Sequence, residues 1–148
     1  MAVDATLRAE GLRLTLHVEG YQFPEMTTGS DANWLVGAVE LEICRAGRFT
    51  AQKHLMPFAP DLKAFRDQLD ALDRNLTGEA ILAHLEGEFE VTVTLKDGKG
   101  TLTGYVREHI GPALRFDQIK VDQTYVREAL QQFDMLVSGF PVRGNPAD

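Results

Sequence analysis

At 148 residues, with 44% apolar and 25% charged side chains, the chain is long enough for one packed domain and too apolar to remain unfolded. Its net charge of −7 makes it a poor partner for a phosphate backbone, whose affinity rests on clustered Lys and Arg. The single cysteine excludes an internal disulfide and a thiolate metal site, and no apolar run approaches the roughly 18 residues that would cross a bilayer. Met1 to Glu10 carries no apolar signal segment, so the cytoplasm is the expected compartment.

The first clear pattern begins at Leu12. Leu12, Leu14, Leu16 and Val18 alternate with Arg13, Thr15, His17 and Glu19, which predicts a half-buried strand. The strand runs out near Phe23-Pro24, because proline lacks a ladder donor. After a polar loop, Asp31 and Asn33 are expected to cap a turn by side-chain to backbone bonds, and Trp34 to anchor the core. A second strand carries Leu35, Val39, Leu41 and Ile43, and a third carries Phe49, Ala51 and Leu55. Cys44, ending the second, reads as a small filler at least half buried.

Pro57 and Pro60 interrupt the sheet. Leu62, Phe65, Leu69, Leu72 and Leu76 then recur at steps of three and four, predicting an amphipathic helix over about 61–75. Opposite charges at Lys63/Asp67, Arg66/Asp70 and Asp70/Arg74 add about 0.2–0.5 kcal/mol each, so packing of the apolar stripe decides the helix.

Alternation resumes at Ile81, Ala83 and Leu85 and continues through Phe89, Val91, Val93 and Leu95, with Gly87 marking a bend. Asp97-Gly98 predicts a type I′ hairpin turn. Leu102 and Val106 carry the return strand, and Leu114 to Val121 a last one. Asp122 is placed to cap a second helix over about 123–138, with the stripe Val126, Leu130, Phe133, Val137 and Phe140. The expected fold is α+β, a curved and mostly antiparallel sheet of about seven strands with two helices, in a single domain 1–148 whose tail 143–148 frays.

Chemistry-bearing motifs are sparse. There is no P-loop, no Gly-x-Ser-x-Gly elbow and no dinucleotide fingerprint. No two histidines have helical metal spacing, and neither a catalytic group, a metal site nor a cofactor is expected. The best enzymatic alternative is a metal or acid/base role for His84 and Glu86, two apart on one strand face, with His17. A structural accessory domain is a third reading. The most distinctive surface lies between Asn75 and Leu95, which holds Glu79, Glu86, Glu88 and Glu90 and no Lys or Arg. Continuous alternation would align Glu86, Glu88 and Glu90 about 7 Å apart on one exposed face. Such a face serves solubility, or meets a basic protein.

One segment carries a family likeness. Tyr21-Gln22-Phe23-Pro24, a short polar loop and then Asp31-Ala32-Asn33-Trp34-Leu35 resemble the small bacterial immunity proteins of the WapI type. The likeness continues in the helix with Leu62, Phe65 and Leu69, in Leu85-Glu86, in Asp122-Gln123-Thr124-Tyr125 and in Phe140-Pro141. It implies a non-enzymatic cytoplasmic protein that binds and neutralises a polymorphic or contact-dependent toxin. The expected partner is then a cognate toxin with a basic surface, met by the acidic face of Glu79, Glu86, Glu88 and Glu90. Phe23, Pro24, Asp31, Asn33 and Trp34 identify the scaffold. The oligomeric state is not legible.

Overall fold

The computed structural model describes residues 2–54 and 57–144. Eight strands and two helices follow in the order β1 (Val3–Ala9), β2 (Leu12–Tyr21), β3 (Leu35–Cys44), β4 (Arg48–Lys53), α1 (Ala59–Asn75), β5 (Gly78–Ala83), β6 (Phe89–Lys96), β7 (Lys99–Arg107), β8 (Ala113–Asp122) and α2 (Gln123–Gly139). The class is α+β, as the patterning predicts. The strands number eight and form two four-stranded antiparallel sheets, β1-β2-β3-β4 and β5-β6-β7-β8, where one sheet of about seven was expected. The additional strand is β1, whose inward residues are Ala5, Leu7 and Ala9. Leu55, expected in the third strand, lies outside the described residues, as do residues 145–148 of the expected tail.

Alternation decides which side of each sheet is buried. Leu12, Leu14, Leu16 and Val18 of β2 face inward with Val39, Leu41 and Ile43 of β3, and Val91, Val93 and Leu95 of β6 do the same in the second sheet. One hydrophobic cluster takes in both inner faces and both helices. Phe65 of α1 meets Phe133 of α2 edge to face, with ring centroids 5.0 Å apart. Aromatic pairs in this geometry add about 0.5–1.5 kcal/mol beyond their buried area. The α2 seam runs through Ala129 and Leu136 as well as Val126 and Phe133, leaving Leu130 and Val137 half buried.

Termini and turns follow their chemistry. The Asp122 carboxylate accepts from the N–H groups of Thr124 and Tyr125 at 2.9 and 3.3 Å, capping α2. Asp97 and Gly98 have φ of 53° and 81°, the left-handed pair that a type I′ turn needs. Gly104 of β7 is required by close approach. A Cβ there would lie 2.2 Å from the Glu90 carbonyl oxygen and 2.7 Å from Phe116 Cζ.

The Lys63–Asp67 and Asp70–Arg74 pairs form on α1. Arg66 does not pair with Asp70 as expected; its guanidinium reaches Asp134 of α2 and Asp67. That choice ties the two helices together.

Candidate functional site

The family segment of the sequence surrounds a clasp. β2 ends at Tyr21, short of Phe23-Pro24, and a single 3-10 turn, Ser30–Asn33, leads into β3. The Asn33 side chain is fully buried and reaches 110 residues along the chain. Its Oδ1 accepts from the Arg143 N–H at 2.7 Å, and its Nδ2 donates to the Arg143 carbonyl at 3.0 Å. Asn33 therefore locks two distant segments together and does not cap its own turn. Arg143, the first residue of the expected frayed tail, is held here. Its guanidinium donates to the carbonyls of Pro24 and Met26 at 3.0 and 2.9 Å and lies 3.5 Å from the centroid of the Tyr21 ring. Burial pushes the Tyr21 hydroxyl above its ordinary range, against the lowering effect of Arg143. Phe23 stays exposed at the bend.

Asp31 also acts through its side chain on another side chain. Its Oδ1 accepts from the Trp34 indole N–H at 3.0 Å. Trp34 is only half buried. Its ring rests against Phe58, centroids 5.1 Å apart, at the edge of a groove of about 400 Å³. Glu19, Gln22, Val36, His54 and His84 complete the lining that matters here. His84 also borders a neighbouring hollow of about 340 Å³, with Asp61, Gln68, Ile81 and Leu85. Burial raises the Asp61 carboxyl above its usual range, and the nearby His84 opposes the shift. A larger hollow of about 600 Å³ lies elsewhere, beside Lys99, Lys120, Asp122 and Tyr125, with none of residues 21–35 in its lining.

The four glutamates do not form one stripe. Gly87, at φ 73°, closes a turn in which its N–H donates to the His84 carbonyl at 2.8 Å. β6 starts only at Phe89, so the parity is reset and Glu86 lies in the turn. Glu88 is withdrawn from the surface, where Lys53 Nζ meets its carboxylate at 3.3 Å. Glu90 stands opposite Tyr105 in the β6–β7 register, and the guanidinium groups of Arg107 and Arg115 lie 5.6 and 5.1 Å from that ring. Glu79 lies opposite Thr94, whose hydroxyl donates to it at 3.4 Å. Among the described residues, Glu79, Glu86 and Glu90 have no ion-pair partner, and Glu79 and Glu86 flank the exposed side chains of Ile81 (41%) and Leu85 (67%). No Lys or Arg lines either hollow among the described residues; Arg107 reaches the adjoining turn, where its Nε donates to the Gly87 carbonyl at 2.8 Å.

The three residues of the enzymatic alternative, His17, His84 and Glu86, are not brought together. His84 Nδ1 accepts from the Glu86 backbone N–H at 3.3 Å, so this His–Glu pair is a turn contact. His17 is on the other sheet, with Asp4 at 2.8 Å from Nδ1 and Glu40 at 3.2 Å from Nε2. The two carboxylates sit at opposite nitrogens and do not converge on a point that an ion would occupy. Among the described residues no group of three His, Cys, Asp or Glu side chains is placed to hold a metal. Cys44 is exposed, opposite Arg48, and not the buried or half-buried filler expected: it lies on the outward parity of β3 with Glu40 and Glu42.

The sequence from residue 6 to residue 141 matches the model of the immunity protein WapI-like family. The chain belongs to that family. Membership points to toxin neutralisation, and the family is generally non-enzymatic. No curated protein matches the chain. No helix among the described residues is long and apolar enough to cross a membrane.

Proposed function

We propose that this WapI-like protein is a cytoplasmic immunity protein that binds a polymorphic or contact-dependent bacterial toxin and occludes a basic surface on it. The observation that carries this reading is the composition of the edge strand β5 and the turn that follows it. Along the β5 edge and the turn after it, Glu79 and Glu86, free of ion-pair partners among the described residues, border exposed Ile81 and Leu85, and His84 of the same stretch lines the Trp34 groove. Apolar side chains bordered by uncompensated carboxylates supply the two elements of a fast and specific contact. The apolar part gives area to bury, and the charge steers a cationic partner. Glu88, neutralised by Lys53, has no part in the contact, and Glu90 is secondary to Glu79 and Glu86 because Arg107 and Arg115 flank its neighbour.

The test is binding to a toxin domain encoded beside the gene, measured by calorimetry at several salt concentrations. The pair Glu79→Lys and Glu86→Lys is expected to weaken the complex and flatten its salt dependence, while Glu88→Gln does so far less. Unchanged affinity and unchanged salt dependence in the Lys pair would overturn the acidic contact.

A further inference from the structure

Resting on that reading, we propose that the groove beside Trp34 receives a cationic side chain, arginine or lysine, from the basic partner. The groove, about 400 Å³, has room for much more than one water, whose share of liquid volume is about 30 Å³. Its lining joins an aromatic ring to a carboxylate, Trp34 to Glu19, with imidazoles in place of any ammonium or guanidinium. An anionic occupant would meet Glu19 with no Lys or Arg of the lining, among the described residues, to balance it.

The ring is prepared for its role. Asp31 holds the indole N–H at 3.0 Å and Phe58 backs the ring at 5.1 Å, so little side-chain freedom remains to be lost on binding. A cation near an indole is attracted by the ring quadrupole, more strongly than near Tyr or Phe. The protein uses the same contact internally, with Arg143 at Tyr21 and with Arg107 and Arg115 at Tyr105. Trp34, the strongest such acceptor in the chain, has no cation against it among the described residues and borders an open groove. Glu19, exposed at the end of β2, supplies the charge-assisted hydrogen bond that a guanidinium or ammonium group requires.

Because the chain has a single tryptophan, its emission reads the groove directly. The full chain is titrated with the capped tripeptide Gly-Arg-Gly, with its Lys counterpart and with a citrulline version that keeps the shape and lacks the charge. A saturable change in Trp34 emission is expected with the Arg and Lys peptides. Binding should be at least about fivefold weaker with citrulline and in Glu19→Gln. Glu19→Lys, at an exposed position, should abolish it while leaving the circular dichroism spectrum unchanged. No saturable change, equal binding of the citrulline peptide, or an unaffected Glu19→Gln variant would overturn the proposal. Failure of the groove is distinguishable from failure of the immunity reading. A toxin complex that forms equally well with Glu19→Lys removes the first and leaves the second. Peptide binding without any toxin binding does the reverse.

Discussion

Lys53 Nζ lies 3.3 Å from the Glu88 carboxylate, and the two side chains are only 14% and 17% exposed. The same ammonium donates to the Arg107 carbonyl at 2.9 Å and to Glu108 at 3.2 Å. One cation at the end of β4 thus holds the first sheet to the second. Burial acts to lower the Lys53 pKa, but the two carboxylates outweigh it and leave the group above its ordinary 10.5.

Lys53→Met should therefore destabilise the fold by about 2–3 kcal/mol, since it strands a poorly solvated carboxylate and a carbonyl acceptor. Adding Glu88→Gln should recover part of that loss, because the two effects share one contact. Urea unfolding of the two single variants and the double variant measures both. The raised pKa places this contribution fully below pH 10.5 and loses it as pH climbs through the still higher folded value. The Tyr21 hydroxyl, raised by burial, has the same sign above pH 10. Stability should fall in strong alkali, and Lys53→Met should show less of that fall.

His17 gives a second pH signal in a different range. Burial lowers its pKa, the hydrogen bonds to Asp4 and Glu40 raise it, and the net shift is upward from 6.5. A raised folded-state pKa stabilises the protein below pH 6.5 and ceases to do so as pH rises through the folded value. The site is open to solvent, so the contribution is small, about 0.2–1 kcal/mol. His17→Gln should cost that much at pH 5.5 and nearly nothing at pH 9, read by thermal melts at both values.

Asn33→Ala should cost about 2–3 kcal/mol, because it leaves the part-buried N–H and carbonyl of Arg143 without their partners and empties a fully buried position. Its local signature is faster amide exchange over 142–144 and at Met26. Asn33→Asp should also be destabilised, since a carboxylate has no N–H to give the Arg143 carbonyl.

Gly104→Ala should be among the most damaging small changes. The added methyl meets a backbone oxygen of β6 and the Phe116 ring together, and neither has a free direction of escape. A loss of about 3 kcal/mol is expected from overpacking of this kind, measured by denaturant midpoint. Gly98→Ala, with open space around its Cβ position, should instead show only the strain of its left-handed backbone.

Much of the fold was legible because most strands alternate large aliphatic and polar residues. β2, β3, β6 and both helices could be read from that alternation and from the steps of three and four. β1 was not, because two of its three buried residues are alanines, whose weak contrast with their neighbours gives no clear period. The split into two sheets was also hidden, since patterning reports which face is buried and not which strand is the neighbour.

The candidate site was legible in composition and illegible in geometry. The absence of cations around Glu79 to Glu90 is a fact of the sequence, yet Gly87 resets the parity and Lys53, far back in the chain, removes Glu88. Trp34 stands out in any reading as the sole indole, but its half-exposed position beside His84 depends on contacts from another sheet. Arg143 could not be found at all. Its partner Asn33 lies 110 residues earlier, and no local periodicity spans such a distance.

That separation bears on how the protein is made. β2 and β3 can pair while the second sheet is still being translated, but the loop between them is closed by a residue that is added 110 positions after Asn33. A nascent chain halted before Arg143 would present the approach to Trp34 unclasped, so the groove wall is set only after every strand and helix of the fold has been translated.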